Sequence, residues 1–315
     1  MMKRRHFLSG VAAVPIAAGG SAYATETDTP TPNAAPSPTP PNRIGISTYS
    51  FWGFRNAEMR SVQRCLHHAA DMGFDGVEIL ERQLDDASHP ALHQIKREAF
   101  SLGLDLMGYS THQAFVTPDA EARKRNVEAT KASLQRAHEL GIPTMRVNTG
   151  TWGTAGSFDA LMAAKGIEEP REGFTDEDAF PWVIEAYQEL AAEAGKLGVV
   201  MGLENHWGLG RTAAGVIRII EAVDSQWLRA TLDTGNFLEN IMPQIEAMAP
   251  YTFLVQAKTY DGGGRWYTLD LDNKEIARVV RAAGYRGYVS LEFEGSDDPL
   301  DAIPGNLAML REAWR

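Results

Sequence analysis

From Arg43 onward, short apolar or β-branched runs alternate with longer stretches whose apolar residues recur every three or four positions. The short runs predict strands over 43–49, 76–80, 105–110, 144–149, 199–205, 229–234, 251–258 and 288–294. The longer stretches predict helices over 60–72, 89–102, 119–140, 181–197, 212–223, 241–248, 273–283 and 300–314. Several helices lead into the next strand through a glycine, as in "DMGFDGVEI", "ELGIPTMRV" and "AAGYRGYVS". That is where a helix C-terminus favours a left-handed residue.

Strand and helix alternating eight times over about 270 residues predict an α/β fold, a single-domain (β/α)8 TIM barrel over 43–315. The rival, a doubly wound open sheet, usually carries G-x-G-x-x-G after its first strand, and "YSFWGFRN" does not match it. The connections 150–180 and 259–271 are long, and both follow strand C-termini.

In a parallel barrel all strand C-termini meet at one mouth, so scattered positions become one site. That mouth collects Thr48, Tyr49, Glu78, Tyr109, His112, Arg146 and Asn148 from the first four strands. The last four add Glu204, His206, Asp233, Asn236, Gln256, Lys258, Glu292 and Glu294. Carboxylates crowded into a dry pocket raise one another's pKa or require a cation. Oxygen ligation by Glu204, Asp233 and Glu292 with a softer fourth ligand suits Mn²⁺, Mg²⁺ or a similar ion better than structural zinc. The alternative is that Arg146, Lys258 and backbone amides neutralise these carboxylates alone. Glu292 is preferred to Glu294 because it sits deeper in its strand. Trp52, Trp152, Trp207 and Trp266 all fall just past strand ends, where aromatic rings suit the C–H faces of sugars. Loop packing is the plainer use of those rings.

Composition narrows the partners. The chain of 315 residues has a net charge of −11 and no basic stripe, which argues against nucleic acid. The single cysteine, Cys65, excludes an intramolecular disulfide framework and a cysteine zinc site, and its helical context predicts a buried apolar role. Residues 1–24 read as an export signal. "KRRHFL" resembles a twin-arginine motif, and Ala22-Tyr23-Ala24 offers cleavage after Ala24. Loss of Lys3, Arg4 and Arg5 takes the charge to −14. An uncleaved anchor is the alternative. Residues 25–42, rich in Pro and Thr, predict a disordered tether. No transmembrane helix is expected in the mature chain, and a homo-oligomer is compatible with the sequence. The expected location is periplasmic.

"GLENHWG", "LDTGNF", "VQAKTYD" and "GYVSLEFEG", in that order, resemble the xylose-isomerase-like TIM barrels of the sugar phosphate isomerase/epimerase superfamily. The resemblance spans the domain from Arg43. It implies a divalent metal (Mn²⁺, Mg²⁺, Co²⁺ or Zn²⁺) held by Glu204, Asp233, Gln256 and Glu292. Gln256 departs from the family's usual histidine. The resemblance further implies that Glu204 and Glu292 move the proton at the carbon beside a carbonyl. His206, Asn236, Lys258 and Arg146 would hold hydroxyls or an oxyanion. Glu78, His112, Trp52 and Trp207 are further substrate-binding candidates.

The expected function is a metal-dependent sugar isomerase or epimerase, and export favours non-phosphorylated sugars or keto-sugars. A lyase acting on 3-keto-glycosides uses the same proton abstraction. A non-catalytic exported sugar-binding barrel is a further alternative. An apurinic-site endonuclease fits poorly, since the mouth has few histidines and the charge is strongly negative.

Overall fold

The computed structural model describes residues 40–315. The expected signal and the tether up to residue 39 lie outside the described residues. Asn42, expected to close the tether, is instead buried. Its backbone N–H donates to the Trp314 carbonyl, and its side chain donates to the Gly287 carbonyl at 2.8 Å.

Eight strands close a parallel barrel in sequential order, with β8 returning to β1. They are β1 (Ile44–Ser47), β2 (Gly76–Leu80), β3 (Asp105–Ser110), β4 (Thr144–Val147), β5 (Val200–Glu204), β6 (Leu228–Asp233), β7 (Thr252–Thr259) and β8 (Val289–Phe293). Closure excludes the doubly wound alternative. The helices are α1 (Tyr49–Trp52), α2 (Val62–Met72), α3 (His89–Ser101), α4 (Ala120–Leu140), α5 (Phe158–Ala163), α6 (Asp176–Leu197), α7 (Ala213–Val223), α8 (Ile241–Met248), α9 (Asn273–Ala282) and α10 (Pro299–Ala313).

The strands are buried on both faces, as parallel strands must be when helices cover the barrel. Ile46, Val77, Met145, Leu203 and Leu291 belong to one core with Leu66, Leu92, Leu134, Leu190, Ile219 and Leu310 of the surrounding helices. Fully burying one such side chain contributes about 1.5–3 kcal/mol. Cys65 lies in that core fully buried, and burial pushes its thiol up to about 12, so it remains a neutral packing residue. Gly73 and Gly141 end α2 and α4 in the left-handed region, with φ of 85° and 75°.

Two differences from the expected elements have clear causes. Strand β1 stops at Ser47 because the chain turns at Thr48 into α1. Helix α6 starts at Asp176, five residues before the expected 181. Thr175 and Asp178 form a reciprocal capping box there, and Pro181 lies inside the helix rather than at its first position. Among the described residues, no helix is long and apolar enough to cross a membrane.

Candidate active site

A cavity of about 980 Å³ opens at the C-terminal ends of the strands, and Arg146, Glu204, His206, Asn236, Lys258 and Glu292 line it. Glu204 and Asp233 are the last residues of β5 and β6. Asp233 and Gln256 pair across β6 and β7, are fully buried and do not reach the cavity wall.

Lys258 is the electrostatic centre of the site. Its Nζ stands 3.0 Å from Asp233 Oδ2, 3.3 Å from Glu292 Oε2 and 3.3 Å from Glu294 Oε1. It also donates to Asn236 Oδ1 at 2.9 Å. Burial alone would lower the lysine's pKa, but Asp233, Glu294 and Glu292 outweigh it and hold the ammonium charged. Gly235 makes room, since a Cβ there would lie 2.6 Å from the Lys258 Cβ and Cδ atoms.

Asn236 links the lysine to Glu204, donating from Nδ2 to Glu204 Oε1 at 3.3 Å. Glu204 Oε2 faces Arg146 Nη1 at 3.4 Å, a Coulombic contact without hydrogen-bond alignment. That guanidinium nitrogen instead donates to the Thr111 carbonyl at 2.6 Å. Burial pushes the Glu204 and Asp233 carboxyls above their usual range. Arg146 opposes the rise at Glu204, and Lys258 opposes it at Asp233. Burial, reinforced by Arg146 and Lys258, holds the His206 imidazole well below its usual range and so neutral at pH 7.

Two expected substrate contacts lie elsewhere. Glu78, the middle residue of β2, sits beneath the cavity with no exposed surface. Its carboxylate accepts from Ser110 Oγ, from Ser290 Oγ at 2.6 Å and from Gln256 Nε2 at 3.0 Å. Trp52 falls within α1, packs tilted against Phe54 with ring centroids 4.1 Å apart and leaves the cavity wall to Phe54. His112 and Trp207 do line the cavity, and Trp207 is buried. The His112 and His206 rings meet edge to face at 6.3 Å.

The two long loops build the outer wall. Trp266 Nε1 donates to Asp159 Oδ1 at 2.6 Å, and the Trp266 ring meets Phe158 at 4.7 Å. Trp207 lies against Gly166, whose φ is 75° and whose added Cβ would fall 2.4 Å from the indole. Trp152 also lines the cavity, with Nε1 donating to Asp176 at 2.7 Å.

Sequence reasoning missed Asn205, Ser110, Ser290 and Tyr267. Asn205 follows Glu204 and so points to the opposite side of the strand. There it donates to the Asp233 carbonyl and accepts from the Asp233 N–H, both at 2.8 Å. Tyr267 lines the cavity from the second long loop, where its hydroxyl approaches Asn236 Oδ1 at 3.5 Å.

Side-chain cations already face the carboxylates expected to hold a metal, Arg146 at Glu204 and Lys258 at Asp233 and Glu292. Glu204 Oε2, Asp233 Oδ2 and Gln256 Oε1 are buried acceptors without an aligned donor, on three consecutive strands. Unpartnered burial is costly, but Arg146 and Lys258 give Glu204 Oε2 and Asp233 Oδ2 ionic partners, and of the three only Gln256 Oε1 has none. Among the described residues, no three His, Cys, Asp or Glu side chains form a metal-holding group. Glu204, Asp233 and Glu292 are therefore not gathered into such a group.

Comparison with solved structures agrees with this architecture. D-psicose 3-epimerase from Clostridium cellulolyticum H10, solved with D-tagatose, superposes with a TM-score of 0.68 at 18% identity, over 87% of this chain and 99% of that one. The 3-keto-D-glucoside 4-epimerase of E. coli gives 0.66 at 20% identity, over 86% and 99%. An L-ribulose 3-epimerase gives 0.62 at 21%, over 87% of each chain. At these identities the likeness is one of fold. The sequence profile of the xylose isomerase-like TIM barrel family matches residues 66–313, most of the barrel, and the chain belongs to that family.

Proposed function

We propose that the protein is a divalent-metal-dependent sugar isomerase or epimerase that acts on a non-phosphorylated sugar or keto-sugar. The observation that carries this reading is the pair Glu204 and Glu292 on one cavity with Lys258 and Arg146 beside them. Epimerases of D-psicose, L-ribulose and a 3-keto-D-glucoside among proteins of like fold support it. The export signal expected over 1–24 favours a substrate without phosphate.

In this mechanism one of the two glutamates removes the proton from the carbon beside the carbonyl. The electron pair of that C–H bond moves to the carbonyl oxygen, giving an enediolate. Return of a proton by the other glutamate to the opposite face inverts the centre. A divalent metal, if bound, would take its ligands from Glu204, Asp233, Gln256 and Glu292 and would supply Lewis-acid chemistry. Lys258 and Arg146 stabilise the oxyanion through fixed charge that needs no reorganisation. His206 and Asn236 orient hydroxyls, and the neutral imidazole serves as either donor or acceptor.

The test is a substrate screen on chelator-stripped protein resupplied with Mn²⁺, Co²⁺, Mg²⁺ or Zn²⁺. Free aldoses, ketoses and 3-keto-glycosides are offered, and products are separated chromatographically. Metal-dependent formation of an epimer or isomer supports the proposal. A second reading, elimination from a 3-keto-glycoside, is favoured by the cavity of about 980 Å³. That is near the upper end of small-molecule sites and leaves space beyond one sugar ring. Release of free aglycone in the same assay would establish the lyase. Saturable sugar binding without turnover would establish the non-catalytic alternative.

A further inference from the structure

The cavity continues outward past the carboxylates, and large apolar rings stand exposed on its wall. Phe54 is 54% exposed and Phe158 is 44% exposed, and both line the cavity. Gly53 and Phe54 both lie in the left-handed region, with φ of 51° and 58°. A bulky L-residue rarely adopts that conformation, and here the residue that does so carries a ring on the cavity wall. Each ring is joined to the carboxylate pocket by direct contacts. Phe54 packs against Tyr49 with ring centroids 5.8 Å apart, and the Tyr49 hydroxyl donates to Glu294 Oε1 at 3.3 Å. By a second route, Phe158 meets Trp266, which packs against the buried cluster of Leu161, Met162 and Trp207. The Trp207 ring in turn meets the His206 ring at 5.3 Å.

We infer that Phe54, Phe158 and Trp266 form an outer subsite for an aromatic aglycone, so that the substrate is an aryl glycoside whose sugar end occupies the carboxylate pocket. The inference rests on the sugar reading above and names the part of the substrate that lies outside that pocket. The volume of about 980 Å³ leaves room for an aglycone beyond one sugar ring. Aromatic rings pair well with one another in offset or edge-on geometry, so exposed rings on a cavity wall suit a ring in the ligand. A second sugar in the same place would need partners for several hydroxyls. Asp159, the carboxylate that bonds the Trp266 indole at 2.6 Å, is already engaged, since it also faces Arg265 at 3.8 Å. The Arg265 guanidinium is itself drawn over the Trp266 ring, 4.8 Å from its centroid. Phe54 and Phe158 are thus specificity-determining residues with no part in proton transfer.

The test is calorimetric titration, with Mn²⁺ present, using matched probes. These are the phenyl and methyl glycosides of D-glucose, D-galactose and D-xylose, their 3-keto forms, and cellobiose. The wild type is compared with Phe54→Ala and Phe158→Ala, and thermal unfolding checks that each variant is folded. For the sugar that binds, the phenyl glycoside is expected to bind about tenfold more tightly than the methyl glycoside, as ring pairing and burial imply. Each variant is expected to lose most of that preference and to leave the affinity for the methyl glycoside unchanged. If either alanine variant does not fold, Phe54→Leu or Phe158→Leu, which keeps apolar bulk without a ring, decides in its place. Equal wild-type affinity for phenyl and methyl glycosides, or a preference unchanged in both folded variants, overturns the inference and leaves the sugar reading standing. Cellobiose binding more tightly than the phenyl glucoside assigns the outer subsite to a second sugar and also overturns it. A wild type that binds none of these sugars overturns the sugar reading together with the inference, which is a different result from a wild type that binds them without regard to the aglycone.

Discussion

The Asn205 side chain grips the backbone of Asp233 from both sides, donating to its carbonyl and accepting from its N–H at 2.8 Å each. Strand β5 ends at Glu204, so a side chain continues the ladder where the backbone stops. The consequence is that two neighbouring carboxylates, Glu204 and Asp233, are fixed by adjacent residues of one short sequence. Replacing Asn205 with Ala leaves two buried backbone groups without those partners, each costing about 1–3 kcal/mol. Thermal unfolding should record a clearly lower Tm, and calorimetry should record weaker Mn²⁺ binding. Wild-type values for both would show that the grip is redundant.

Lys258 tests whether its ammonium assists the reaction or replaces the metal. Lys258→Met removes the charge that faces Asp233, Glu292 and Glu294. Turnover should fall by about 10²–10³, the loss typical of one preorganised charge-stabilising group. Metal content should be retained, since no proposed ligand is altered. Elemental analysis of the purified variant beside the wild type checks this. If divalent metal bound only after the lysine was removed, Lys258 would be the site's resident cation.

The buried carboxylates predict an unusual pH dependence for the chelated protein. Burial raises Glu204 to about 8 and Asp233 to about 7. In the unfolded chain both lose their protons near the ordinary ~4. Between those values the folded state holds more protons, so its stability falls as pH rises. His206, held neutral by burial, works in the opposite direction, but only below the unfolded imidazole pKa of ~6.5. The Tm of the chelated protein should therefore decline from pH 6.5 to 8. Saturating Mn²⁺ should flatten that decline by stabilising the ionised carboxylates. A chelated Tm constant over the interval would mean that Arg146 and Lys258 already neutralise the site.

The contact between the two long loops is expected to act on binding more than on chemistry. Trp266→Phe keeps the ring against Phe158 but removes the indole N–H bonded to Asp159. The bond is exposed, so Tm should shift little. KM for the sugar substrate should rise several-fold while kcat stays within about twofold, the pattern of lost uniform binding. Steady-state kinetics separates the two, and a selective loss of kcat would give the latch a part in the chemical step.

The sequence revealed the site best where one geometric rule applied. Once the strands were counted, the single mouth of a parallel barrel brought Glu204, Asp233, Lys258 and Glu292 together; the structure puts Glu204, Lys258 and Glu292 on the cavity and leaves Asp233 buried, 3.0 Å from Lys258. Depth within a strand was harder to read. Glu78 is the third residue of five in β2 and so lies below the layer that meets the cavity. Trp52 was misread because the chain after Ser47 turns directly into a helix instead of extending the strand. Asn205 was missed because its target is backbone, which no side-chain pattern encodes. The start of α6 was misplaced because Pro181 resembles a first helical residue, while the capping Thr175 lies six residues before the expected start. The Asp159–Trp266 bond joins positions 107 residues apart and depends on how two loops fold toward each other.

The most direct test of the central claim is proton exchange with solvent. Wild type, Glu204→Gln and Glu292→Gln, each saturated with Mn²⁺ and confirmed folded, are incubated in D₂O with the substrate found by screening. After removal of Mn²⁺, NMR follows the hydrogen on the carbon beside the carbonyl. Wild-type enzyme should replace that hydrogen with deuterium as product forms, and both variants should be slower by about 10²–10⁴, the usual worth of a positioned acid or base. Product formation without deuterium incorporation, or wild-type exchange rates in both variants, would contradict proton transfer by Glu204 and Glu292.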